Sequence, residues 1–124
     1  MPVIIHKEHQ SGFMQENKLA SALAWLIEHV GPQIAPVVTF EKSGFGGEFL
    51  RAIAAYLHFR GTTNLWEHYG RINTLTKIEG HGWTYFRGKA VWRGGEPLTL
   101  ESAYDYVFHI DDAGLAIQFK LACL

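Results

Sequence analysis

The chain has 124 residues, a length that suits a single domain. Hydrophobic residues make up 48% and charged residues 19%, which predicts a packed globule that needs no disulfide or structural metal, and argues against disorder. A formal net charge of -1, from 11 basic and 12 acidic residues, gives no electrostatic footprint for nucleic acid or an anionic membrane.

Residues 1–12 carry no basic stretch ahead of a long apolar run, so no signal peptide is expected, and no apolar stretch is long enough to span a bilayer. The cytoplasm is the expected compartment. Val3-Ile4-Ile5 reads as a short edge strand, broken by Ser11-Gly12. Leu19, Leu23, Leu26 and Val30 recur at helical spacing and predict a helix over 15–30, with Asn17 as a cap and Gly31-Pro32 as its stop. Residues 34–40 read as a strand that Pro36 confines to an edge. Ser43 to Gly47 is a glycine-rich loop without a phosphate-binding pattern. Phe49, Ile53 and Leu57 predict a second helix over 48–59, and residues 65–69 a further short helical turn.

From Arg71 the hydrophobic period becomes two, which predicts four strands over 71–79, 83–93, 98–110 and 115–123. Their turns are expected at Gly80-His81-Gly82, Gly94-Gly95-Glu96 and Asp111-Asp112-Ala113-Gly114. A loop over 111–114 would set Phe108 across from Ile117, Tyr106 from Phe119 and Tyr104 from Leu121. A three-residue loop over 94–96 would set Phe86 across from Tyr104 and Trp92 from Leu98; a four-residue loop would put Arg87 and Lys89 on the aromatic side instead. The three-residue choice conflicts least. It predicts one aromatic face covered by the helices, and a mixed face with Trp83, Tyr85, Val91 and Val107. That second face is too aromatic for ordinary surface, and a homodimer through it is expected.

Helix, short strand, helix and antiparallel meander resemble the NTF2-like superfamily, which includes SnoaL-type polyketide cyclases and ketosteroid isomerases. Gly47-Glu48-Phe49-Leu50-Arg51-Ala52-Ile53 is similar to the segment opening the family's third helix, and residues 106–115 to its last β-turn. The resemblance implies an α+β cone, with N-terminal helices on a curved, mainly antiparallel sheet around a hydrophobic pocket, commonly dimeric through the outer face. The connection Gly31-Pro32-Gln33 is shorter than the family's, and no catalytic motif of the family is matched.

The expected pocket lining is Trp25, Tyr56, Phe86, Trp92, Tyr104, Tyr106, Phe108 and Phe119. An apolar or aromatic small molecule is the expected ligand. The alternative is an isomerase, cyclase or dehydratase in which Tyr104 or Tyr106 polarises the substrate and His58 acts as base, near Trp25, His29 and Tyr56. A second alternative is a ligand-free dimeric assembly module. Among the 7 histidines, His6 and His9 give an HxxH spacing and Glu67-His68 an adjacent pair, but no paired ligand motif appears, so no metal site and no cofactor are expected. Haem on an axial histidine is an outside alternative. His81 and His109 read as exposed or interfacial, Cys123 as a small core residue. Arg60, His68 and Arg71 beside Trp66 and Tyr69 read as a solvated helix end.

Overall fold

A computed structural model describes residues 3–10, 16–42, 47–60, 72–94 and 99–123, with side chains over 19–42, 47–59, 72–89 and 106–123. In chain order the elements are β1 (Val3–Gln10), α1 (Glu16–His29), β2 (Val38–Glu41), α2 (Gly47–Arg60), β3 (Thr74–Gly80), β4 (Trp83–Gly94), β5 (Thr99–Ile110) and α3 (Ala113–Cys123). The strands form one antiparallel sheet of five in the order β1-β5-β4-β3-β2. The α+β class, the first two helices and the β-rich second half follow the sequence pattern.

Both sheet faces are covered, because strands β3 to β5 bury residues of both parities. On one face Ile78, Trp83, Tyr85, Tyr106, Phe108 and Ile110 meet Ala22 and Leu26 of α1 and Ala116 and Phe119 of α3. On the other, Leu75, Phe86 and Val107 lie under Phe49, Ile53, Tyr56 and Leu57 of α2. The result is a layer of two helices, the sheet, and a layer of one helix. The helical cover expected on a single face is thus divided. The residues expected on the dimerising face are divided as well: Trp83 and Tyr85 pack with α1 and α3, and Val107 with α2.

Two expectations are corrected. Residues 115–123 are not a fourth meander strand but most of α3, which Asp112 caps: its Oδ1 accepts the Leu115 backbone N–H at 2.9 Å. The stretch 106–115 is therefore a strand-to-helix joint rather than a β-turn. In the β4–β5 hairpin, Arg87 pairs with Tyr106, Tyr85 with Phe108 and Gly94 with Thr99. This has the parity of the four-residue alternative, so Trp83 and Tyr85 join the Tyr106–Phe108 face, and Phe86 joins Val107. Tyr104 pairs with Lys89 instead of Phe86.

The β3–β4 turn falls where expected. Gly80 pairs with Trp83 around His81-Gly82, and Gly82 adopts a φ of 83° that favours glycine. This tip holds its neighbours: the His81 N–H donates to Pro32 O at 2.8 Å, and the Asp111 N–H to Gly82 O at 3.0 Å. β2 starts later than expected. Gln33 bridges to Gly80, Val38 pairs with Lys77, and Pro36 falls in the irregular stretch between. The loop at 43–46, the turn expected at 65–69 and the cluster of His68 and Arg71 lie outside the described residues, as does the Arg60 side chain.

Candidate functional site

α2 lays two of its faces to different uses. Phe49, Ile53, Tyr56 and Leu57 enter the core. Glu48, Arg51, Ala52 and Ala55 follow the spacing of a neighbouring helical stripe and line a groove with Val38 and Phe40 of β2, Lys77 of β3 and Phe86 of β4. Its volume is about 510 Å³. The cross-strand register explains the sheet wall: Val38 pairs with Lys77, and Lys77 with Phe86, so all three side chains emerge on the α2 face. The space itself comes from Ala52 and Ala55, whose short side chains leave the sheet uncovered there.

The groove is apolar in its depth and charged at its rim. The Lys77 ammonium lies 5.7 Å from the centroid of the Phe86 ring and 3.1 Å from Glu79 Oε2, so its charge is already matched. Arg51 is exposed, and no carboxylate among the described residues pairs with it. Glu48, in the first turn of α2, is favoured by the helix dipole and adds one negative charge to the wall.

The expected pocket residues do not converge. Tyr106, Phe108 and Phe119 join the α1–α3 core, where the Phe108 and Phe119 ring centroids are 4.8 Å apart, and Trp25 packs on Phe119 at 5.7 Å. Tyr56 and Phe86 meet on the other face, with ring centroids 6.0 Å apart. Trp92 and Tyr104 lie in β4 and β5, but their side chains are outside the described set. His58 is exposed on α2, so the sheet stands between it and Tyr106. Burial raises the Tyr106 phenol above its ordinary range, and pushes Tyr85 up to about 12 against the opposing pull of Arg87. Both phenols stay neutral near pH 7.

His109, expected at an exposed or interfacial position, is the one buried polar side chain among the described residues, 7% exposed. Its ring lies 4.4 Å from that of Phe59, and its Nδ1 is 3.5 Å from Asp111 Oδ1. Burial lowers its pKa; Asp111 pulls it back up and nearby His58 lowers it further. No buried side-chain nitrogen or oxygen among the described residues lacks a hydrogen-bond partner. No group of three His, Cys, Asp or Glu among the described residues is placed to hold a metal ion, and no helix among them is long and apolar enough to cross a membrane.

Neither known protein families, nor curated proteins, nor solved structures offer a match to this chain.

Proposed function

We propose that the protein is a binding domain whose site is the groove between α2 and the β2–β3–β4 part of the sheet, and that this groove takes one apolar or aromatic group of small-molecule size. The observation that carries the proposal is the combination of an apolar floor with an Arg51 at its rim that no carboxylate among the described residues pairs. A volume of about 510 Å³ falls in the range of roughly 300–1,000 Å³ typical of ligand sites. The NTF2-like resemblance of residues 47–53 is compatible with this role, since those residues open the helix that walls the groove. Catalysis by His58 with Tyr106 finds no support, because the two lie on opposite sides of the sheet.

The aryl sulfonate 8-anilinonaphthalene-1-sulfonate, which joins an aromatic body to an anion, is a suitable first probe. The chain is expected to bind it saturably. Ala55 is exposed on α2 and lines the groove, so Ala55→Trp should fill the space without disturbing the core. The variant should melt at the wild-type temperature and bind the probe at least about tenfold more weakly, a difference of about 1.4 kcal/mol. No saturable binding, or equal binding by the variant, would overturn the proposal.

A further inference from the structure

β2 is an edge strand, and its free side can be worked out from the ladder. The Lys42 N–H donates to Asn73 O at 3.0 Å, continuing the register in which Glu41 pairs with Thr74 and Val38 with Lys77. In an antiparallel ladder the N–H and C=O of one residue point to the same side, and successive residues alternate. Lys42, Phe40 and Val38 therefore turn their backbone groups to β3, while Thr39 and Glu41 turn theirs outward. Both are exposed, and among the described residues the sheet ends at β2. Ile34, Val37 and Val38 are 57%, 54% and 40% exposed beside this edge, a degree of apolar exposure that edge strands ordinarily avoid.

The open edge and the groove adjoin, since Val38 and Phe40 belong to both. We infer that together they take an extended peptide of another protein, which adds to β2 as a further antiparallel or parallel strand and places an apolar side chain in the groove. Main-chain bonds to Thr39 and Glu41 would supply affinity, and the pocket between edge strand and helix would select alternate side chains. Charge selects the neighbouring residue. Lys77 is matched by Glu79 whereas Arg51 has no carboxylate among the described residues, so an acidic residue is favoured opposite Arg51. Glu48, three positions earlier on the same wall, disfavours a second acid beside the first. This inference rests on the groove being the binding site and names what fills it.

The test uses the full chain as bait for phage displaying random peptides of about ten residues, enough to span a typical strand. Enriched peptides should share an apolar residue and an acid at fixed spacing. Thr39→Pro removes an outward N–H and leaves the backbone bonds to β3, losing only the exposed hydroxyl contact with Thr76, so it should weaken those peptides by about tenfold or more while binding of the sulfonate probe is unchanged. Arg51→Glu should weaken acidic peptides by about fivefold or more. A control independent of folding is N-methylation of alternate peptide amides, which should abolish binding in one phase and spare it in the other. Four results would overturn the inference. They are probe binding without any enriched peptide, peptide binding indifferent to both Thr39→Pro and N-methylation, peptides whose acid is indifferent to Arg51→Glu, and a wild-type dimer that Thr39→Pro converts to monomer. The last would assign the edge to a second copy of this chain. Failure of the wild-type chain to bind the probe would instead remove the groove from which the inference starts.

Discussion

Trp83 shows how much one side chain can fix. Its indole N–H donates to Gly31 O at 2.8 Å, tying the start of β4 to the turn that follows α1. Its ring lies over Gly80 so closely that a Cβ there would fall 2.0 Å from Cε2. Trp83→Phe keeps an aromatic ring but removes the donor and part of the buried indole. It should cost at least about 1–3 kcal/mol in urea unfolding, the penalty for leaving a partly buried carbonyl unsatisfied, with the cavity left by the smaller ring adding to it. Gly80→Ala drives a methyl group into a ring that cannot retreat, and should cost more than the phenylalanine variant. His109 should give a pH signature. Its folded pKa lies below the unfolded value of about 6.5, so the unfolded chain binds the extra proton first. Stability should therefore fall as pH drops below about 6.5, levelling below the folded pKa. In His109→Gln, urea midpoints at pH 7.5 and pH 5 should draw closer together than in the wild type. Tyr85 works in the opposite range: with its folded pKa raised to about 12, its contribution is intact below about pH 10 and lost as pH rises through 12.

Among the elements, α3 offers the sharpest discrimination. In a strand, Phe119 and Leu121 would share a face and both would be costly to remove. In the helix, Phe119 is fully buried and Leu121 is 83% exposed. Phe119→Ala should destabilise by about 3–5 kcal/mol, Leu121→Ser by less than about 0.5 kcal/mol, and Asp112→Ala by about 1 kcal/mol through loss of the cap. Chemical denaturation of the three variants checks all of these. The contrast also shows why the sequence misleads here. Leu115, Ile117, Phe119, Leu121 and Cys123 alternate by chance, and the true stripe runs through Ala116, Phe119 and Cys123, two of them small. Asp-Asp-Ala-Gly suits a turn as well as a helix start. α1 and α2 were legible because leucine, isoleucine and phenylalanine mark their buried stripes. The β4–β5 register was not, because in the sequence alone keeping Arg87 and Lys89 off the aromatic face is the lesser conflict, whereas the sheet accepts Arg87 opposite Tyr106.

For the molecule as a whole, the layers decide where a site can exist. Two helices fill one face of the sheet, and a single helix leaves part of the other uncovered near β2. Such a groove was hard to foresee, since it depends on Ala52 and Ala55 being small, and a missing side chain leaves no signal in a hydrophobic pattern. The aromatic richness pointed instead to residues that pack the core. A ligand held only by the folded chain must raise its stability by mass action. At a hundredfold excess over its dissociation constant, a groove ligand should add about 2.7 kcal/mol, seen as a rise in melting temperature that Ala55→Trp abolishes.

Hairpin tips are ordinarily where a chain accepts an inserted tag or a protease cut. The tip at His81-Gly82 should behave otherwise, because it is fastened on one side to Pro32 and on the other to Asp111. Its amides should rank with those of the interior strands in deuterium exchange, and a few residues spliced between His81 and Gly82 would loosen the exit of α1 and the approach to α3 in a single stroke.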